Sequence, residues 1–375
     1  MEKQQKVAAV ICEYNPFHYG HKHQINIMKE NFDLCIGVMS GPFVQRGTVA
    51  VADKYSRAAA AVKGGLDLVV ELPFPYCCSA AADFAAAGVH IAAAVGANFL
   101  VFGAEDAGEA FDALAGLLAN GTLQDKARAL IKEEKSLSYP RALSLAAAEL
   151  GGETPAKALA KPNNILGAEY VAAINRGGYD VTPFPIKRKE GFLSSTDIRS
   201  KKSFEGLIPF PEFFENRRGL EALERWIMAV LRGGNHEGLY CIDPSLSATL
   251  EKAAKQATSL EETVALATGK VYTTARIRRA ILAAWLGITS AEVKATPAYT
   301  LLLAANEKGT AYLKSIRKSI GISLITKPSS YKALTDTTAF EKALYAEEMA
   351  ALCEPKMAKY VSPLCNTPKV SATKQ

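Results

Sequence analysis

Three of the chain's five histidines, His18, His21 and His23, fall within six residues, just after the strand-like run Val7-Ala8-Ala9-Val10-Ile11-Cys12. Between them lies Glu13-Tyr14-Asn15-Pro16-Phe17, and polar residues after His18-Tyr19-Gly20-His21 open a helix. An apolar strand, a Pro/Gly turn and a helix start expose backbone N–H groups and imidazoles together, which suits an anion. His18 and His21, three apart, fall on roughly one face of that helix, and Gly20 between them marks a close approach of the backbone. Imidazoles at a helix N-terminus match the charge that develops on a phosphoryl group. Two plainer readings compete. His-x-x-His-x-His can be a metal cluster, although no Asp, Glu or Cys stands at an obvious supporting spacing. The histidines can also be simple caps and surface residues.

A second cluster, Lys187-Arg188-Lys189-Glu190-Gly191-Phe192-Leu193-Ser194-Ser195-Thr196-Asp197-Ile198-Arg199, reads as a strand end, a basic turn and a fresh helix start. Ser194 or Ser195 caps that helix, and its N–H groups with Arg199 one turn in fit the outer phosphates of a nucleotide. Taken alone, Ser-Ser-Thr is an ordinary N-cap. Ser40-Gly41-Pro42-Phe43-Val44-Gln45-Arg46-Gly47 is rich in turn residues around one Gln-Arg pair. It fits a mobile loop over a carboxylate or a target base, or a bland surface loop. Arg276, Arg278 and Arg279, and further on Lys314, Arg317 and Lys318, are spaced to line a groove for a phosphate backbone, though such clusters also serve solubility.

These residues must be held by some framework, and the first two hundred residues alternate strand and helix. Expected strands are Val7 to Cys12, Leu34 to Met39, Leu66 to Leu72, Phe99 to Phe102 and Val181 to Ile186, with helices such as Lys54 to Lys63 and Ala80 to Ala94 between them. Continuous apolar strands separated by helices predict an α/β fold with a Rossmann-like parallel sheet, which binds ligands beyond its carboxyl edge. Past Arg199 the segments Leu220 to Leu231, Ser247 to Ala257, Thr273 to Trp285, Tyr299 to Asn306 and Glu341 to Leu352 read as helices. The expected division is therefore 1–204, nucleotide-binding, and 205–375, mainly α-helical. Leu207 to Pro211 reads as a linker, and the last dozen residues as a frayed tail.

Composition agrees with a soluble enzyme of 375 residues, 49% of them hydrophobic. The net charge of +6 is unevenly placed: residues 201–375 hold 24 Lys/Arg against 17 Asp/Glu, and residues 1–200 hold 20 against 21. A partner with a phosphate backbone would meet the later half. Seven scattered cysteines without Cys-x-x-Cys spacing predict reduced thiols in a cytoplasmic protein. The N-terminus has no signal-peptide form. The alanine-rich stretch Ser79 to Gly103 carries Asp83, His90 and Asn98, and reads as a buried helix and strand instead of a membrane span.

His18-Tyr19-Gly20-His21 and Ser194 to Arg199 resemble the paired signatures of the His-x-Gly-His nucleotidyltransferase superfamily. Adding Glu13 to His18, Met39 to Gly47, Asp53-Lys54, Glu71-Leu72-Pro73, Phe102-Gly103-Ala104-Glu105 and Lys161 to Gly167, the chain resembles the tRNA(Met) cytidine acetate ligase family. The resemblance implies that ATP activates acetate as acetyl-adenylate and that the acetyl group passes to the wobble cytidine of elongator tRNA(Met), giving N4-acetylcytidine. It implies catalytic His18, His21 and Arg188. ATP contacts are implied at Val7, Ile11, Glu13, Tyr14, Asn15, Pro16, Phe17, His18, Gly20, His21, Gly103, Asn163, Asn164, Lys187, Arg188, Ser195, Thr196 and Arg199. Ser40, Gln45 and Arg46 belong to the acyl or base loop, and Arg276, Arg278 and Arg279 face tRNA. Magnesium is expected with ATP, with Glu105 and Asp67 as possible helpers and no dedicated metal site. Tyr19 departs from the asparagine of many relatives. The competing readings are a small-molecule adenylyltransferase of the nicotinamide mononucleotide or phosphopantetheine type, and a non-catalytic RNA- or metal-binding module.

Overall fold

The computed structural model describes residues 5–105, 109–119, 121–134, 137, 139–159, 162–187, 189, 191–355 and 361–370. Arg188, together with Lys161, Glu190 and residues 371–375, lies outside the described residues. Among the described residues ten strands form: β1 (Val7–Cys12), β2 (Leu34–Ser40), β3 (Phe43–Val44), β4 (Thr48–Val49), β5 (Leu68–Leu72), β6 (Phe99–Ala104), β7 (Thr182–Lys187), β8 (Tyr299–Ala305), β9 (Ser323–Ile325) and β10 (Lys369–Val370). The main sheet runs β10-β8-β5-β2-β1-β6-β7, with β9 also on β8, while β3 and β4 make a separate hairpin. From β5 to β7 all neighbours are parallel.

Helix α1 (Tyr19–Asn31) follows β1, α2 (Lys54–Lys63) precedes β5, and α3 (Ala81–Ala94) precedes β6. α2 starts where Asp53 accepts from the backbone N–H groups of Tyr55 and Ser56, both at 2.9 Å, so Asp53 is a cap. β1 is buried along its length. Alternate residues enter two cores: Val7, Ala9 and Ile11 join one face, Ala8, Val10 and Cys12 the other. The chain leaves β1 toward β2 and β5 on one side and returns to β6 and β7 on the other. The strand order therefore reverses between β1 and β6, and a crevice opens beyond their carboxyl ends.

The strands expected in the first half form within two residues of their predicted starts, and α2 matches its expected ends. The second half is less helical than its pattern suggests. Tyr299 to Asn306, read as a helix, is the buried strand β8, antiparallel to β5. A short, uniformly apolar run has no period that separates helix from buried strand. The boundary expected at residue 204 is thus not a boundary of the sheet. Lys369 and Val370, read as part of a frayed tail, pair in parallel with Ala304 and Ala305. Leu220 to Leu231 divides into a 3-10 turn, Leu220–Leu223, and a helix, Glu224–Gly233. All seven cysteines are free thiols. Among the described residues no helix is long and apolar enough to cross a membrane.

Candidate active site

A cleft of ≈ 1110 Å³ lies beyond the carboxyl ends of β1 and β6. At its base His18 is the N-cap of α1, with extended backbone. Its Nδ1 accepts the Gly20 N–H at 3.1 Å, while its own N–H donates to His21 Nδ1 at 3.2 Å. Both Nδ1 atoms are acceptors, so in the neutral rings the proton sits on Nε2, and both rings offer an Nε2–H donor. The rings stack with centroids 3.6 Å apart. Tyr14, buried and at φ 46°, turns the chain beneath them and meets His21 edge-on at 4.9 Å. The cap expected from sequence is thus present, and the capping bonds hold both rings at the cleft.

Gly20 is required by this stack. A Cβ there would lie 2.9 Å from Cε1 and 3.1 Å from Nδ1 of His18. Gly20→Ala is expected to displace the His18 ring and cut ATP-dependent turnover by about a hundredfold. The fold should survive, since Ala favours helix over Gly by about 1 kcal/mol. Steady-state kinetics and a melting curve on the same preparation check this, and wild-type turnover would show that the ring position is unimportant.

The opposite rim is the short helix Ser195–Arg199. Ser194 caps it in a reciprocal box with Asp197, whose carboxyl is held below its ordinary range by those Ser194 hydrogen bonds. Arg199 donates to the Asn15 carbonyl at 2.7 Å and to Thr196 Oγ1 at 3.1 Å, tying this rim to the histidine turn. Lys187, at the end of β7, and Lys189 line the same space. Glu13 is the one carboxylate among the described lining residues. Burial raises its pKa, opposed by the Gln45 N–H, donated to Oε1 at 2.9 Å, and by Arg199, Arg46 and Arg57.

A third wall comes from the later half. Helix Thr274–Leu286 is capped by Thr273, and Thr273, Thr274, Ala275, Arg278 and Arg279 line the cleft. The β3–β4 turn packs on it at Gly47, where φ is +77° and a Cβ would lie 2.5 Å from Arg279 N. Arg279 Nη1 donates to the Gln45 carbonyl at 3.2 Å. Gln45 and Arg46 are thereby held between the histidine turn and this helix.

Of the residues singled out by sequence, Ile11, Glu13, Tyr14, Asn15, His18, Gly20, His21, Gly103, Asn163, Lys187, Ser195, Thr196, Arg199, Gln45, Arg46, Arg278 and Arg279 line one cleft. Others stand apart from the lining. Val7 is at the far end of β1, its N–H bonded to Asn98 Oδ1. Pro16 and Phe17 sit behind the turn, Phe17 fully buried. Asn164 is buried and accepts the Glu105 N–H at 3.0 Å, so it and Asn163 clasp Glu105. Ser40 is buried at the end of β2. Arg276 is engaged with Asp243 at 2.8 Å and lies over the Tyr272 ring. Tyr19, 46% exposed, is not part of the lining.

Asp67, considered for magnesium, is at the amino end of β5, accepting from Cys35 N and Asn306 Nδ2, both at 2.9 Å. Lys314 closes helix Glu307–Ile316 at that same end, where Tyr312 bonds the Val95 carbonyl. Lys314, Arg317 and Lys318 thus belong to the edge opposite the cleft. Among the described residues no group of three or more His, Cys, Asp or Glu is placed to hold a metal. Sequence reasoning missed Tyr170 and the Thr273-Thr274 cap as lining residues, and missed Arg57 beneath the cleft. The two threonines before Arg276 were a legible N-cap signal; Arg57, inside a helical pattern, gave none.

A family model described as HIGH Nucleotidyl Transferase matches residues 5–205 and 218–362. The tRNA(Met) cytidine acetate ligase of Thermoanaerobacter sp. (strain X514) is 33% identical over 385 residues, covering 92% of this chain and 95% of its own. That of Caldanaerobacter subterraneus subsp. tengcongensis is 33% identical over 379 residues, covering 92% and 94%. The crystal structure of Thermotoga maritima TmcAL bound with alpha-thio ATP superposes with a TM-score of 0.90 at 27% identity, covering 98% of this chain and all of that one. With a His-x-Gly-His turn, a serine-threonine rim and a parallel sheet between them, the chain belongs to the tRNA(Met) cytidine acetate ligase family of HIGH nucleotidyltransferases.

Proposed function

We propose that this enzyme joins acetate to the N4 amine of the wobble cytidine of elongator tRNA(Met) at the expense of ATP. An acetate oxygen attacks the α-phosphorus, the bond to the β-phosphate oxygen breaks, and acetyl-adenylate and pyrophosphate form. The cytidine amine then attacks the acyl carbon, AMP departs with the bonding pair, and the amine loses a proton. The observation that carries this reading is the pairing, in one cleft, of the histidine turn and the serine-threonine rim with a wall that carries Arg278 and Arg279. A small-molecule adenylyltransferase has no use for that third wall. The names of the curated relatives and the ATP analogue bound to Thermotoga maritima TmcAL support the same assignment.

In this scheme His18 and His21 donate through Nε2 to the α-phosphate, where negative charge grows in the transition state. Gly20 lets the backbone approach. Ser195, Thr196, Arg199 and Lys187, with Arg188, hold the β- and γ-phosphates, and Gly103 and Asn163 border the nucleoside. Magnesium would be held chiefly by the triphosphate's own oxygens, since among the described residues no group of three or more His, Cys, Asp or Glu is placed to hold a metal. Gln45 and Arg46 face the acetyl group and the target base. Residues 205–375 supply the RNA-facing surface, with Arg278 and Arg279 nearest the chemistry.

The test is incubation with ATP, labelled acetate and total tRNA, followed by nucleoside analysis; label in N4-acetylcytidine is expected, and its absence from cytidine refutes the assignment. Pyrophosphate release driven by nicotinamide mononucleotide or phosphopantetheine instead of acetate would favour the small-molecule enzyme. Arg278→Ala is expected to weaken tRNA binding and lower its log–log salt slope by about 1, because one phosphate contact is lost. An unchanged slope would remove Arg278 from the RNA surface.

A further inference from the structure

Arg57, on α2, has a fully buried guanidinium. It donates through Nε to the Ala52 carbonyl at 3.1 Å, through Nη1 to the Glu13 carbonyl at 2.6 Å, and through Nη2 to the carbonyls of Ser40, at 3.0 Å, and Gly41. Those carbonyls belong to the segment after β1, the end of β2 with the residue that follows it, and the turn before α2. A buried cation costs several kcal/mol in desolvation, and here it meets four carbonyl oxygens, with the charges of Asp53 and Glu347 nearby. A structural filler of the same volume could be apolar. Only a planar fork of five donors can serve carbonyls from three segments at once.

The contacts continue from there into the cleft. Glu13, whose carbonyl Arg57 holds, uses its carboxylate to accept the Gln45 N–H, and the Gln45 carbonyl accepts from Arg279. We infer that Arg57 is a positioning residue that sets the acyl- and base-facing turn, Gln45-Arg46-Gly47, against the nucleotide through Glu13, Ser40 and Gly41. The inference rests on the function proposed above for that turn. Arg57 does not line the cleft, so it acts on the reaction only through these segments.

The experiment compares wild-type enzyme with Arg57→Lys, which keeps the charge and loses the fork. Two quantities are read: kcat of acetate-dependent ATP–pyrophosphate exchange per folded molecule, and hydrogen–deuterium exchange of peptides covering residues 41–49. Arg57→Lys is expected to lower kcat by about a hundredfold, the cost of misplacing reacting groups by about 1 Å, and to speed amide exchange in 41–49 while strands β1 and β2 stay protected. Unchanged kcat with unchanged protection of that turn, whatever the melting temperature, overturns the inference. If Arg57→Lys folds poorly, Glu13→Ala cuts the same tether at its outer end and must show both effects; wild-type values there overturn the inference equally. Wild-type protein that performs no acetate-dependent exchange defeats the proposed function separately, and the amide-exchange comparison still decides whether Arg57 sets the turn.

Discussion

His21→Ala is expected to lower ATP-dependent turnover by about 10²–10³-fold, the loss that follows removal of one preorganised donor to a developing oxyanion. The imidazole has two roles in the structure. Its Nδ1 caps the backbone N–H of His18 at 3.2 Å, and its ring stacks on the His18 ring 3.6 Å away. Losing a cap costs about 1 kcal/mol of stability, against about 2.7–4 kcal/mol for the rate effect. The two roles separate in His21→Gln, whose amide oxygen can accept the His18 N–H as in a capping box but offers no ring donor. That variant should regain the melting temperature and remain slow in acetate-dependent pyrophosphate exchange. Near-wild-type turnover in His21→Gln would reduce His21 to a helix cap.

The second large effect concerns stability. Lys54 Nζ lies 3.0 Å from Glu71 Oε1 and 3.1 Å from Glu347 Oε2, and all three side chains are buried. Burial alone would depress the Lys54 pKa, but the charges of Glu347 and Glu71 outweigh it and raise it, so the ammonium stays charged. Lys54→Met leaves two carboxylates facing each other in the interior, and breaking a buried pair in this way costs about 3–5 kcal/mol. The helix Thr338–Ala351, which carries Glu347, would lose its anchor to α2.

The sign of the pH dependence follows from the acids. Burial already raises the folded pKa of Glu71 above its unfolded value, and without the ammonium only the charge of Arg57 opposes it, while Glu347 adds to it. A raised acid binds its proton more tightly in the folded state, so the variant gains stability as pH falls toward that folded pKa. The deficit against wild type should therefore be largest near pH 8 and shrink toward pH 5 in urea unfolding. A deficit of equal size at both values would mean that packing, not charge, is what Lys54 provides.

How far the chain could be read from its residues is clearest at the two ends of the cleft. The β1-to-α1 turn and the Ser194 rim were legible because caps, glycine approaches and strand-to-helix changes depend on neighbours within four or five residues. Strands β1 and β2 and helix α2 were legible for the same reason: their period and flanking turns are local. Tyr299 to Asn306 was misread because its strand partner, β5, lies more than two hundred residues away, and a uniformly apolar run has no period of its own.

The same distance governs the arginines. Arg276, Arg278 and Arg279 fall on one helix, yet Arg276 closes on Asp243 away from the cleft, Arg278 lines the cleft while paired with Glu261 at 2.7 Å, and Arg279 lines it while holding the Gln45 carbonyl. Asp243 and the Gly47 turn, which decide that choice, come from separate parts of the chain. By itself the sequence determined the β1-to-α1 turn and the Ser194 rim, the parallel sheet that presents them and the family to which they belong. Tertiary structure alone decided that residues 274–279 complete the cleft, that Arg57 ties three segments beneath it, and that β8 carries the sheet across residue 204. Those contacts are set by which surfaces meet on packing, a property of distant pairs that no local pattern of residues encodes.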